Sequence, residues 1–292
     1  WKNELLLSIA RCKLLGKEKL VSHPMCEYGG PLPLKEGFDL DNFSKDFVSY
    51  FGVKARMKIH PSIISSASVS GKVSRLVPPK PMAKGGQFRD EGLSTFIIEG
   101  FSKKMPQDLW NSFRKTLRSE IKKNEQHDIN ISQCETENEL KEFYNLYTKT
   151  IKRHKTVPLP YSAFKFFNKI YLAKSNGKII GGSVFLFYAP FIHYFINASD
   201  YKFRGLNIGH RILWHVMQDY AGKKYDYFDL GGTRSGSALE IFKRGWGSKE
   251  YPIYEIGNYS SNRVASWKRN IWAMLPPGII KKIAPYALYW LI

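Results

Sequence analysis

The chain has 292 residues, 43% of them apolar and 15% aromatic against 24% charged, a composition that builds a folded core and excludes a disordered chain, collagen and a coiled coil. At about 150 residues per domain, the length allows one large domain or two modest ones. Lys and Arg number 45 against 25 Asp and Glu, leaving a net charge of +20, which points to a polyanionic partner: nucleic acid, a nucleotide phosphate or an anionic membrane face.

In chain order, the opening segment to Leu20 mixes Leu5, Leu6, Ile9, Leu14 and Leu15 with basic residues, and Glu27-Tyr28-Gly29-Gly30-Pro31-Leu32-Pro33 is rich in turn formers. Phe43, Phe47, Val48 and Phe51 recur at helical spacing, with Asp39 or Asp41 as cap, and a strand over Ala55 to His60 follows. Residues 77–92, rich in Pro and Gly and containing Gly85-Gly86, read as a linker or mobile loop, and Leu93 to Phe101 as a strand.

From Pro106 the spacing of Leu109, Trp110, Phe113, Leu117 and Ile121 predicts one amphipathic helix, whose Arg114, Arg118 and Lys122 make a stripe at i, i+4, i+8. That stripe is either a solvated face or a rail for phosphates. A second helix over Glu137 to Lys152 runs into Lys152-Arg153-His154-Lys155 and is stopped by Pro158 and Pro160. Beyond it, Tyr161 to Ile170 is helix-like. Strands over Ile170 to Ala173 and Ile179 to Tyr188 flank the turn Asn176-Gly177, and Phe191 to Ala198 pairs back around Ala189-Pro190. A helix over Asn207 to Gly222 and a strand Tyr227-Phe228-Asp229-Leu230 ending at Gly231-Gly232 complete the pattern.

Cys12, Cys26 and Cys134 form no C-x-x-C pair and are odd in number, so neither a disulfide framework nor a zinc site is expected; they read as reduced core thiols of a cytoplasmic protein. His154 and His193 have no metal-like companions in the sequence and read as structural or peripheral. The first residue is Trp1, which predicts a fragment whose upstream part is not seen.

Several motifs in order carry a resemblance. They are Tyr28-Gly29-Gly30-Pro31-Leu32, Trp110-x-x-Phe113-x-Lys115-x-x-Arg118-x-x-Ile121, Arg153 followed by Pro158, Tyr194-x-x-Asn197-Ala198-Ser199, Asn207-x-x-x-x-x-Leu213-Trp214, Phe228-Asp229-Leu230-Gly231-Gly232 and Phe242-Lys243-x-Gly245-x-Gly247. Each is weak singly, and their order and spacing together are fairly specific. The chain resembles the Fem family of peptidoglycan-bridge aminoacyltransferases (FemA, FemB, FemX), within the GNAT acyltransferases. The resemblance implies an α/β fold of two GNAT-like lobes, each a mixed twisted sheet flanked by helices. It divides the chain into a first lobe over residues 1–102, N-terminally incomplete, a second lobe over 103–255 with the main site, and a tail over 256–292 returning to the first lobe.

The resemblance also implies the chemistry: an amino acid passes from aminoacyl-tRNA to an amino group of a lipid- or nucleotide-linked cell-envelope precursor. Such a reaction needs a neutral amine, a polarised carbonyl and cations for phosphate-bearing substrates, and neither a nucleophilic Ser or Cys nor a metal or other cofactor. On this reading Lys243, with Phe242, is the catalytic pair, against the alternative that Lys243 is a solvated lysine in a surface loop. Arg153 would grip the acceptor's diphosphate or only end its helix favourably. Tyr194 would line the substrate or only pack a strand. Asp229 would orient the amine or only cap the Gly231-Gly232 turn.

For the donor, Arg204-Gly205-Leu206-Asn207-Ile208-Gly209 stands where acyl-CoA-using GNAT proteins have a glycine-rich pyrophosphate cradle. Asn207 occupies the place of that cradle's first glycine, which favours aminoacyl-tRNA over acyl-CoA. The chain has no long helical-hairpin insertion of the kind FemA uses toward tRNA. Two other readings stay open: an acyl-CoA-dependent N-acyltransferase acting on an amino sugar or exported polysaccharide, and a non-catalytic RNA- or membrane-binding module. The tail from Arg263 to Ile292 interleaves five basic residues with Trp267, Trp272, Tyr286, Tyr289 and Trp290 and has no acid. It suits either peripheral contact with an anionic inner membrane face or packing on the first lobe.

Overall fold

The computed structural model describes residues 88–257 except Asn168, four short stretches before residue 34, Ala55–Ile59, and some of the residues within 43–49 and 274–283. The strands are β1 (Leu5–Leu6), β2 (Ala10–Leu14), β3 (Lys17–Val21), β4 (Leu32–Pro33), β5 (Ala55–Ile59), β6 (Phe88–Glu99), β7 (Asn130–Gln133), β8 (Lys169–Ser175), β9 (Lys178–Tyr188), β10 (Phe191–Ser199), β11 (Tyr227–Arg234) and β12 (Lys249–Gly257). The helices are α1 (Pro106–Ser112), α2 (Lys115–Glu125), α3 (Glu137–Arg153), α4 (Tyr161–Phe164), α5 (Ile208–Tyr220) and α6 (Ala238–Arg244). Residues Phe43 and Phe47 are helical and buried, with ring centroids 5.9 Å apart, as their spacing predicts.

Ten strands form one mixed sheet in the order β2-β3-β5-β12-β6-β11-β10-β9-β8-β7, and β1 pairs with β4 apart from it. Among the described residues only β3 with β5 and β10 with β11 run parallel. The sheet is continuous across the expected lobe boundary at residue 102, because β6 pairs with β11 on one side and with β12 on the other. Residues Phe88–Gly92, the end of the expected linker, belong to β6. Pairing with a neighbour outweighs their polar composition; residues 77–87 lie outside the described set.

Helices cover both faces. One core gathers Leu109 of α1, Phe113 just beyond it, and Leu117 and Ile121 of α2 with Ile208, Ile212 and Leu213 of α5 and Phe228 and Leu230 of β11. The other packs Leu140, Phe143 and Tyr147 of α3 and Phe164 of α4 against β8 and β9. Adjacent glycines of β9 let both layers approach: a Cβ on Gly181 would sit 2.5 Å from Ile208 of α5, and one on Gly182 would sit 2.6 Å from Phe143 of α3. Arg211 of α5 donates to the carbonyls of Asn124, His127 and Ile129, satisfying the C-terminal end of α2 and tying the two helices together.

The helix expected to run unbroken from Pro106 divides into α1 and α2. Phe113 and Arg114 have extended ψ angles of 147° and 140°. The Arg114 N–H, turned out of the helix, donates to the Gly245 carbonyl at 2.9 Å. The expected helix over Tyr161 to Ile170 shortens to α4, and β8 begins at Lys169. By contrast α3 matches closely, opened by a reciprocal cap in which Thr136 accepts from the Glu139 N–H and Glu139 accepts from the Thr136 N–H.

Candidate active site

The centre of the sheet holds the polar groups. Strands β10 and β11 are in register at Phe191 with Tyr227, Ile192 with Phe228 and His193 with Asp229, and at no residue beyond, although both run on. At that last pair the His193 Nδ1 and an Asp229 carboxylate oxygen are 2.7 Å apart, His193 being 3% exposed and Asp229 0%. The other Asp229 oxygen accepts from the Thr95 hydroxyl at 2.6 Å and the Gly231 N–H at 2.8 Å. Asp229 therefore does cap the glycine turn, and it also holds a histidine that its own sequence context left peripheral.

Strand β11 does not stop at Gly231-Gly232. Against β6 it pairs Asp229 with Ile97 and then Gly232 with Thr95, so β11 carries one extra residue there. Gly231 takes a φ of +79°. That backbone angle at an inserted residue is the signature of a glycine β-bulge, which breaks the alternation of carbonyls along a strand. Here the Gly231 and Gly232 carbonyls both accept from the Lys243 ammonium, at 2.7 and 2.8 Å. Lys243 is 3% exposed. It is thus not a solvated lysine of a surface loop: it lies on α6 and faces the sheet.

The glycines of the Phe242-Lys243-x-Gly245-x-Gly247 motif anchor that lysine. A Cβ on Gly245 would meet the Phe242 carbonyl at 3.1 Å; Gly247 has φ +69°, and a Cβ there would sit 2.6 Å from Ser112 Oγ. Between them Trp246 is fully buried against Phe113, with ring centroids 4.9 Å apart. Ser237 opens α6 by accepting from the Glu240 N–H, and the Ser248 hydroxyl donates to the Lys243 carbonyl where the helix ends. Phe242 packs edge-on against His210 of α5, whose pKa is pushed down by burial and raised in part by Glu120, 3.6 Å away.

The remaining expected site residues divide between surface and core. Arg153, at the end of α3, and Arg204, in a 3-10 turn over Tyr201–Leu206, both lie over the ring of Tyr201, at 5.0 and 4.4 Å. Residues assigned to acceptor and donor thus share one exposed aromatic. Asn207 begins α5 with φ 44° and ψ 48°, the left-handed conformation that a glycine would adopt freely. Gly205 has open space around it, whereas a Cβ on Gly209 would meet Asn197 at 3.1 Å. Tyr194 is partly buried against Phe185, and burial pushes its phenol pKa up.

Thr95, Tyr201 and His210 were not singled out by sequence, and His193 was read as structural or peripheral. A signal was present for His193 and Asp229: each is the lone ionisable residue in an otherwise apolar run, Phe191-Ile192-His193 and Phe228-Asp229-Leu230. Cys134 is partly buried, with its thiol pushed up to about 11 by burial. Among the described residues no group of three or more His, Cys, Asp or Glu side chains is placed to hold a metal ion, and no helix is long and apolar enough to cross a membrane.

Comparison with known proteins bears on this arrangement. Residues 111–244, from α1 to the last residue of α6, match the family model described as an acetyltransferase (GNAT) domain. Among solved structures, the chain is similar to FemX at 14% identity and a TM-score of 0.51, over 88% of this chain and 89% of that one. It is similar to L-PGS from Bacillus licheniformis at 14% identity and a TM-score of 0.56, over 93% and 86%. A third likeness is to the C-terminal domain of a protein described as a lysylphosphatidylglycerol synthetase from Agrobacterium fabrum, at 13% identity and a TM-score of 0.56, over 88% and 84%. At these identities what is shared is the fold. No curated protein matches the chain.

Proposed function

We propose that this chain transfers an amino acid from aminoacyl-tRNA to an amino group of a cell-envelope precursor. The observation that carries the proposal is the buried Lys243 ammonium, held by the bulge of β11 immediately beyond the point where β10 and β11 cease to pair. A fixed cation beside the end of the β10–β11 pairing suits a reaction in which negative charge appears on oxygen. The amine nitrogen forms the new C–N bond to the aminoacyl carbonyl, the ester C–O bond to the tRNA ribose breaks, and the proton lost by the amine ends on the released hydroxyl. Lys243 lowers the cost of the oxyanion or of the departing oxygen.

Arg153 and Arg204, beside Tyr201, suit the phosphates of a nucleotide- or lipid-linked acceptor, because guanidinium matches phosphate in a two-pronged geometry. The net charge of +20, with Arg118 and Lys122 one turn apart on α2, suits RNA. The lysylphosphatidylglycerol synthetase domain supports this reading by fold and by what its name describes, and FemX supports it by fold.

A second reading, with acyl-CoA as donor, is favoured by one feature: the open backbone at Gly205 ahead of the first turn of α5. There a thioester C–S bond would break instead. Binding of charged tRNA, uncharged tRNA, acetyl-CoA and long-chain acyl-CoA at two salt concentrations separates the readings, since non-specific RNA contact weakens steeply with salt. Preference for charged tRNA at the higher salt is expected, and tight acyl-CoA binding with indiscriminate tRNA association overturns it. We also assign residues 263–292 to peripheral contact with an anionic membrane; equal flotation with liposomes by the chain with and without them refutes that.

A further inference from the structure

Lys243 owes its position to groups outside its own helix. Of its three donors, two go to the Gly231 and Gly232 carbonyls. In a regular strand successive carbonyls point to opposite neighbours, so one ammonium reaches both only because the bulge turns them together. The bulge begins at Asp229. One Asp229 oxygen receives the N–H of Gly231, the residue whose carbonyl meets Lys243, and also the Thr95 hydroxyl from β6. The other faces His193 Nδ1 from β10. Three strands thus converge on one buried carboxylate whose hydrogen bond fixes the inserted glycine.

A buried carboxylate is costly unless each lone pair is met, and a network met on every side specifies one geometry. We propose that His193 and Asp229 are positioning residues for Lys243: they hold the β11 bulge so that its two carbonyls converge on the ammonium. Asp229 orients Gly231 directly, and His193 orients Asp229 from the opposite strand. The role for the pair in transfer rests on the reading of Lys243 given above, whereas its effect on the geometry of Lys243 does not.

The test uses the ammonium itself. In the full chain labelled with nitrogen-15 lysine, the Lys243 ammonium resonance, assigned by its loss in Lys243→Met, is expected to exchange protons more slowly than those of exposed lysines. Asp229→Asn, His193→Asn and Thr95→Val are compared with the native chain below their unfolding midpoints. Losing a hydrogen bond at a charged group corresponds to about tenfold. An acceleration of Lys243 exchange of that order is expected in Asp229→Asn, and a smaller one in His193→Asn. In transfer assays kcat should fall with KM unchanged.

A folded Asp229→Asn or His193→Asn chain with native Lys243 shift and exchange overturns the proposal, whatever its stability. If Asp229→Asn does not fold, His193→Asn and Thr95→Val are read by the same resonance, and a native signal in both overturns it. An altered resonance in a chain that transfers nothing supports the positioning and refutes the proposed reaction.

Discussion

The Lys243 ammonium lies 2.7 Å from the carbonyl oxygen of Gly231, inside the protein, across eleven residues of chain that include the whole N-terminal part of α6. Removing the side chain therefore does two things at once. Lys243→Ala takes a donor from the buried Gly231 carbonyl and the half-buried Gly232 carbonyl, a loss of about 1–3 kcal/mol. It should also lower kcat by about a hundredfold, the scale seen when one group stabilising an oxyanion is lost. Denaturant unfolding and single-turnover transfer measure the two effects separately, and loss of stability with full turnover would show Lys243 to be structural.

The two faces of β9 make a prediction about packing. Gly182→Val places its Cβ within 2.6 Å of the edge of the Phe143 ring, and should cost about 1–3 kcal/mol through overpacking. Gly205→Ala meets nothing within 4 Å and should change stability by less than about 0.5 kcal/mol. Gly205→Ala therefore serves as a clean probe of ligand contact: weakened donor binding without a shift in melting temperature is expected if a donor's phosphates approach this backbone.

Asn207 carries a left-handed backbone at the start of α5. Asn207→Gly should be neutral or stabilising by up to about 1 kcal/mol, and Asn207→Val destabilising by about 1–2 kcal/mol, because a branched side chain fits that region poorly. Thermal unfolding of the pair checks the sign. If acyl-CoA is the donor, Asn207→Gly should also tighten its binding; under the aminoacyl-tRNA reading it should leave acyl-CoA binding weak.

The cap of α3 gives a dependence on pH. Glu139 accepts from Lys174 and from the backbone N–H groups of Glu135 and Thr136, and these bonds, that from Lys174 foremost, lower its pKa from 4.5 to about 2. A carboxylate whose folded pKa is depressed stabilises the fold above its unfolded pKa. That contribution is lost as pH falls from about 4.5 through about 2. Glu139→Gln should be less stable than the native chain at neutral pH, and the difference should shrink across that window. Urea unfolding at stepped pH values measures it, and a difference constant down to pH 2 contradicts the assignment.

Much of the second half of the fold was legible because local chemistry agreed with the tertiary structure. Asn176 and Gly177 both have positive φ, 48° and 75°, as a two-residue hairpin turn requires, and β8 and β9 flank them. The periodicity of α3 and α5 also matched. The break between α1 and α2 was hidden because Leu109, Phe113, Leu117 and Ile121 stay buried through it, and its cause is a bond from Arg114 to Gly245, more than a hundred residues away. The start of β6 was read as linker because its partners in the sheet are not neighbours in sequence.

The site was legible in its chemistry and not in its wiring. Lys243 and Asp229 stood out by motif, but a sequence does not say that β10 and β11 run side by side in parallel. The pairing of His193 with Asp229 was invisible for that reason. Nor did it say that Arg153, at the end of a helix, and Arg204, in a turn, meet over Tyr201. Both relationships depend on chain crossings that no local pattern encodes.

The most direct measurement is transfer itself: tRNA charged with a labelled amino acid, or labelled acyl-CoA, is incubated with the full chain and an amine-bearing envelope precursor, beside Lys243→Ala. Label should pass from the charged tRNA to the amine in the native chain, with a loss of about a hundredfold in the variant. Label passing only from acyl-CoA, or equal transfer by both proteins, would contradict the proposed reaction.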